Sequence, residues 1–429
     1  MMERYSEYKD SGVKWLGEIP SHWEVKRLGS FFYERKEKVS DQVFAPLSVT
    51  KQGIFPQLDN VAKTNDGDNR KLVKEGDFVI NSRSDRKGSS GVSELDGSVS
   101  LINIVLQPRK TIFGPFCNYL LKSYGFIEEN YRNGRGIVAD LWTTRYDEMK
   151  MIKVALPSLE EQKTISSYLD SATSEIDKAI AMQQKMIDLL NERKQIIIQN
   201  AVTKGLDENV EMKESGVEFV NEIPHNWSTR RLKFSAWIRA RLGWKGLKAS
   251  EYVENGYPFL SAFNIENDHM KWNNLNFINK YRYDESPEIK LKIGDLLLVK
   301  DGAGIGKCAR IDELPYGEST ANGSLAVITS YDMLDYRYLY YFMVSKSFKD
   351  HTELLINGMG VPHFTQGEMK KIVMPVPPQA EQQQIVTYLD SKMQRFDTAI
   401  TNCQRQITLL QERKQIIINE VVTGKVRVI

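Results

Sequence analysis

The sequence predicts an α+β protein built twice over: two globular domains joined by two long antiparallel coiled-coil helices, a tandem duplication with pseudo-two-fold symmetry. Three observations predict it. Residues 9–28 (KDSGVKWLGEIPSHWEVKRL) recur as 213–232 (KESGVEFVNEIPHNWSTRRL), with ten of twenty positions identical. YLDS at 168–171 and ERKQIII at 192–198 recur at 388–391 and 412–418. The segments carrying these later matches have an apolar period of 3.5 residues, the coiled-coil signal.

The two anchors are offset by 204 and 220 residues, so the second copy carries about sixteen extra residues between them. A period above 200 residues is far too long for a solenoid repeat and means domain duplication. Shorter matches lie inside the interval: Lys74-Glu75-Gly76-Asp77 with Lys292-Ile293-Gly294-Asp295, and Asn133-Gly134-Arg135-Gly136 with Asn357-Gly358-Met359-Gly360. The expected organisation is a repeat element (1–28), a globular domain (29–155), a helix (156–208), the second repeat element (209–232), a second domain (233–375) and a second helix (376–429).

Within the globular parts, Phe78-Val79-Ile80, Leu296 to Val299 and Leu325 to Ile328 are strand-length apolar runs bounded by Gly, Asp and Asn. Gly76-Asp77 and Gly294-Asp295 are turns feeding strands, and Tyr336 to Phe348 reads as one helix with aromatics on one side. Each domain closes at proline, Leu156-Pro157-Ser158 and Pro375-Val376-Pro377-Pro378, which suits a helix start. The helices are expected at about 160–203 and 380–423. One stripe runs Leu169, Thr173, Ile176, Ile180, Gln183, Ile187, Leu190, Lys194, Ile197, Ala201, and the other Leu389, Met393, Phe396, Ile400, Cys403, Ile407, Leu410, Lys414, Ile417, Val421. Rods of roughly 60–65 Å at 1.5 Å per residue cannot bury such stripes in a small domain, and the cheapest partner for each is the other, lying antiparallel.

Composition excludes several classes. The 429 residues are 41% hydrophobic and 27% charged, ordinary for a soluble protein. No run approaches the ~18 apolar residues of a membrane span, and the N-terminus lacks a secretory apolar region, so the cytoplasm is expected. Cys117, Cys308 and Cys403 are odd in number and far apart, and the five histidines are scattered, which argues against disulfides and structural metal. With 58 basic and 56 acidic residues, any nucleic-acid surface must be local.

No catalytic motif emerges. Lys300 to Cys308 imitates a phosphate loop, but Asp301 stands where the Walker pattern needs Gly and Cys308 where it needs Ser or Thr; Lys307 breaks the dinucleotide pattern. The readings left for this loop are a hairpin turn or a basic loop beside a phosphate backbone. H-E-x-x-H, G-x-S-x-G, C-x-x-C and an Asn/Asp-Pro-Pro-aromatic tetrapeptide are all missing.

A Gly-Glu-Ile-Pro-x-x-Trp element (17–23), a proline-opened LPSLEEQKTI (156–165), and variable domains between repeated helices together resemble the specificity subunit of Type I restriction–modification systems over essentially the whole chain. In the second copy Val376, Pro377, Glu381, Gln382 and Ile385 keep the helix-start motif, while Gln379 departs from the family's leucine. The resemblance implies that each globular part is a target recognition domain reading one half of a split, asymmetric DNA site. It implies that the helices space the two domains and dock two methylation subunits, which methylate adenine with S-adenosylmethionine. ATP-driven motor subunits complete the restriction enzyme, and this chain holds no catalytic residue, cofactor or metal.

Arg and Lys suit guanine and phosphate, Asn and Gln adenine, and Ser phosphate. On that basis the first domain's candidate readers are Asn81, Ser82, Arg83, Ser84, Arg86 and Lys87, with Lys51, Gln52, Asn133 and Arg135; Trp142 to Arg145 serve either reading or the core. The second domain's are Arg239, Arg241, Asn264, Lys300, Lys307, Asn322, Asn357 and His363, while Trp244 either stacks on a base or packs. Glu161, Gln162, Glu192, Arg193 and Lys194 recur as Glu381, Gln382, Glu412, Arg413 and Lys414; they are either solvated helix charge or docking residues. The competing readings are a coiled-coil scaffold with protein-binding ends, and an enzyme with a cryptic site.

Overall fold

The computed structural model describes residues 2–58, 67–136, 142–241, 247–302, 304–357 and 363–428. The chain divides into two compact units, Met1–Gln184 with Gln404–Ile429, and Lys185–Cys403. The division falls inside the two long helices, so each unit takes the start of one and the end of the other.

In the first unit, the N-terminal repeat element folds as a hairpin of Tyr8–Asp10 on Glu18–Pro20, and Glu24–Arg27 pairs antiparallel with Lys153–Leu156. A four-stranded antiparallel sheet follows in the order Ser90–Val92, Phe78–Asn81, Asn103–Pro108, Phe32–Glu34. Helices Gly114–Lys122 and Tyr124–Arg132 cover it, and one cluster joins Trp23, Phe32, Phe78, Phe116 and Phe126 to Ile165, Leu169, Ile417 and Val421 of the long helices.

The second unit repeats this scheme. Met212–Val217 pairs with Val220–Pro224, and Ser228–Arg231 with Val373–Val376. Its sheet runs Ala236–Ala240, Leu325–Ser330, Asp295–Val299, Cys308–Arg310, strand for strand the order of the first unit read from the other edge. Trp227, Tyr338, Phe348, Ile385 and Leu389 share its core cluster. The loop Lys300 to Lys307 joins two antiparallel strands, not a strand to a helix, so among the described residues no helix N-terminus stands behind it to hold a phosphate.

The long helices span Leu159–Lys204 and Gln379–Val422. The first begins where the Ser158 hydroxyl accepts the Glu161 N–H, with Glu160 and Glu161 in the positive first turn. Gly205 (φ +76°) and Gly424 (φ +72°) end the two helices in the left-handed region, where glycine stops a helix at no steric cost. All twenty stripe positions are buried or half-buried.

Each unit shows the antiparallel pairing by itself. In the first, Trp23 lies between Glu161 at one helix start and Gly424 at the other's end, while Asp177 meets Lys414 further along. In the second, Gly205 meets Glu381 and Trp227, while Lys194 meets Asp397. The two lysines that interrupt the stripes are thereby accounted for: each is tied to an aspartate on the facing helix, at 2.6 Å for Lys194 and 2.7 Å for Lys414.

The segment Tyr336 to Phe348 departs from its expectation. It forms two helices, Tyr336–Met343 and Lys346–Asn357, because Ser345 turns the chain by donating its hydroxyl to the Phe342 carbonyl. Tyr338 through Met343 are all buried, so the aromatics are core on every side.

Candidate nucleic-acid interface

A buried ion pair under each sheet sets the frame for the loops. Arg35 donates to both carboxylate oxygens of Asp77, at 2.7 and 3.1 Å, and Arg239 Nη2 donates to Asp295 Oδ2 at 2.7 Å. Each aspartate also accepts a backbone N–H from its own turn, Lys74 at 2.9 Å and Lys292 at 2.8 Å. The matching Lys-x-Gly-Asp tetrapeptides are therefore structural. The glycine takes positive φ, and the aspartate locks the turn to a strand-borne arginine.

In the first unit the strand leaving that turn ends at Asn81, whose Oδ1 accepts the Arg83 N–H at 3.0 Å and opens a short turn over Ser84–Arg86. The segment after residue 141 is stitched to this loop: Ser84 N–H donates to the Trp142 carbonyl, Thr144 N–H to the Ser82 carbonyl, and Thr143 bridges both Arg83 and Arg135. The turn carrying Lys51 and Gln52 joins the same end of the sheet through Ser90 N–H to the Thr50 carbonyl. Lys51, Gln52, Arg83, Arg86 and Arg135 are thus exposed residues on one connected set of loops, with the Arg135 side chain 83% exposed. Lys87 is held inward by Glu128 at 2.7 Å and the Tyr131 ring, and Asn133 caps its helix on the Glu129 carbonyl. Ser82 is tied to the Ile102 carbonyl at 2.6 Å. Trp142 packs on Tyr131 and donates Nε1 to its carbonyl.

In the second unit Lys300, Asp301 and His363 come together: Asp301 accepts from Lys300 Nζ and from His363 Nδ1. Lys307 is exposed at the far end of the same hairpin loop, and Asn322 folds onto Ser324 beside Lys300, whose N–H donates to the Ser324 carbonyl. Three expected readers are instead structural. Arg239 is 5% exposed against fully buried Asp295, Asn264 is 5% exposed and accepts the Ser261 N–H, and Arg241 has a 7% exposed side chain facing Glu285. An alternating strand pattern identifies a face, not whether that face meets water, and here it is covered. Trp244 and Gly358 to Gly360 lie outside the described residues, as does the side chain of Asn357.

The helix-start residues are corrected too. Gln162 and Gln382 are each 1% exposed. Gln162 accepts the Phe113 N–H and donates to the Pro157 carbonyl, and Gln382 does the same with Asp335 and Pro377, so neither has a surface for a partner. Glu161 accepts from Tyr5, His22 and Trp23, and burial, with this carboxylate beside it, pushes the Tyr5 hydroxyl far above its ordinary range. Glu381 faces Asn226. Lys194 and Lys414 are held by Asp397 and Asp177, which leaves Glu192, Arg193, Glu412 and Arg413 exposed on the helices. Asp301 was not foreseen; the signal was available, since it lies six residues past Asp295 as Arg83 lies six past Asp77.

Among the described residues no three His, Cys, Asp or Glu are grouped to hold a metal ion, and no helix is long and apolar enough to cross a membrane. Cys117 and Cys308 are buried, and burial pushes both thiols well up, away from nucleophilic reactivity.

Fold and loops define a class: a duplicated binding module whose polar side chains are presented on sheet-end loops, with helices shared between the copies. A family model described as the Type I restriction modification DNA specificity domain matches residues 226–411. The Type I restriction enzyme MjaVIII specificity subunit of Methanocaldococcus jannaschii is 27% identical over 98% of this chain and 97% of its own length. The putative type I restriction enzyme MjaX specificity subunit of the same organism is 24% identical over 98% of each. A chain solved in work on complex assembly and conformational transition of the type I R-M system shares the fold, with a TM-score of 0.70, 17% identity, and coverage of 94% of this chain and 98% of that one. Over nearly its whole length the chain is thus similar to Type I restriction enzyme specificity subunits, and residues 226–411 match that family's DNA specificity domain.

Proposed function

We propose that this chain reads a bipartite, asymmetric DNA sequence for a Type I restriction–modification complex, each unit reading one half-site. The observation that carries the reading is the same sheet-end frame built twice with different exposed side chains, Arg83, Arg86 and Arg135 in one copy and Lys307 and His363 in the other. Phosphate contacts from arginine and lysine position a protein on the duplex, and base-edge contacts specify sequence. Unlike side chains on like frames suit a site whose halves differ.

The chain itself is non-catalytic and acts in the cytoplasm. Two methylation subunits dock on exposed helix residues, Glu192 and Arg193 in the second unit and Glu412 and Arg413 in the first, bringing S-adenosylmethionine, and motor subunits bring ATP. The test is selection from a random duplex library by the chain assembled with its methylation subunits. Enrichment of two defined half-sites separated by unconstrained bases is expected. No enrichment would leave a protein-binding scaffold, and methyl transfer by the purified single chain would refute the non-catalytic assignment.

A further inference from the structure

We infer that the readouts of the two units diverge at one homologous cross-strand pair, Arg83 facing Thr143 in the first and Asp301 facing His363 in the second, with Asp301 positioning His363 and Lys300. This rests on the DNA-reading function proposed above.

The homology is fixed by backbone hydrogen bonds, not by resemblance of side chains. In the first unit Ser82 N–H donates to the Ile102 carbonyl, Thr144 N–H donates to the Ser82 carbonyl, and Arg83 bridges Thr143. In the second Lys300 N–H donates to the Ser324 carbonyl, Phe364 N–H donates to the Lys300 carbonyl, and Asp301 bridges His363. On this shared frame arginine opposite threonine becomes aspartate opposite histidine.

The chemistry changes with it. Arg83 is exposed and has no carboxylate partner among the described residues. Its planar fork of donors matches the paired acceptors O6 and N7 of guanine. Asp301 occupies the equivalent place but turns both oxygens inward, Oδ1 to His363 Nδ1 and Oδ2 to Lys300 Nζ. With Nδ1 engaged by Asp301, Nε2 is the ring's remaining polar atom, an acceptor in the tautomer that carries its one proton on Nδ1, and the side chain is half exposed. An outward acceptor selects a base carrying an exposed amino group, adenine N6 or cytosine N4. Lys300, anchored on the other oxygen, stays beside it as a fixed positive charge.

The test is methylome sequencing of cells carrying the complete complex with variants of this chain. Arg83→Ala should relax one guanine in one half-site by roughly 5- to 150-fold in discrimination, leaving the other half unchanged. Asp301→Ala and His363→Ala should relax a single adenine or cytosine position, the same one, in the other half-site. Asp301→Asn, which keeps an oxygen acceptor for Nδ1–H, should retain most of that preference; such rescue is not expected of a merely structural carboxylate. Relaxation by Asp301→Ala and Arg83→Ala in the same half-site, or an unchanged motif with full methylation, overturns the inference. Loss of all methylation in every second-unit variant assigns these residues to folding and overturns it equally. If the wild-type complex methylates no bipartite motif, it is the DNA-reading function that fails.

Discussion

Replacing Arg239 by alanine separates a structural role from a DNA-reading one. Asp295 is fully buried, and Arg239, 5% exposed, is its only charged partner among the described residues. Without the guanidinium, the carboxylate keeps only the Thr329 hydroxyl and the Lys292 N–H. Leaving one member of a buried pair uncompensated costs about 3–5 kcal/mol. In a unit of this size that lowers the melting temperature by roughly 6–20 °C. Calorimetry of the purified chain reads this as a downward shift of the transition that belongs to Lys185–Cys403. Replacing both partners, Arg239→Met with Asp295→Leu, should restore most of the loss, because the penalty lies in the orphaned charge and not in the missing contact. Methylation by the assembled complex should keep its base preferences at temperatures where the variant remains folded. A transition within about 2 °C of wild type, together with relaxed sequence preference, would refute the reasoning and return Arg239 to the readers.

Three further outcomes follow from the same geometry. A double-mutant cycle on Lys414 and Asp177 should give a coupling of about 0.2–1 kcal/mol, since Asp177 is 57% exposed and solvent screens the pair; several kcal/mol would contradict this. Tyr119, pushed up to about 12 by burial, with Asp170 accepting its hydroxyl at 2.7 Å, lies above the ordinary value of 10.0. Its contribution to stability should be fully present below pH 10 and be lost as pH rises to about 12, read as a late phenolate absorbance step that Tyr119→Phe removes. If Lys51, Arg86 and Arg135 each meet a phosphate, every alanine substitution among them should reduce the slope of log affinity against log salt by about 0.9; unchanged slopes would take that residue off the DNA backbone.

The duplication and the long helices were legible in the sequence because repetition and a 3.5-residue period are one-dimensional signals. Even the polar interruptions at Lys194 and Lys414 keep their place in the stripe, though nothing local announces Asp397 and Asp177 as their partners, more than 200 residues away. The loops were legible only in part. Asn81 to Lys87 could be placed after a strand, but which cations turn outward depends on Glu128 and Tyr131, which hold Lys87 and leave Arg86 exposed. Arg239 and Gln162 misled for one reason: a polar side chain in a surface-like pattern looks the same whether it meets water or a buried partner supplied by a distant segment. The break at Ser345 was hidden because the residues on both sides are helix-compatible, and only the hydroxyl's bond to the Phe342 carbonyl turns the chain.

The central claim is that one chain carries two different readers. Methylation-sensitive sequencing of genomic DNA from cells expressing this chain with its methylation subunits, against cells lacking only this chain, tests it most directly. The account predicts a single methylated motif of two unlike half-sites separated by unspecified bases, and its complete loss without the chain. A continuous motif, two identical halves, or methylation that persists without the chain would contradict it.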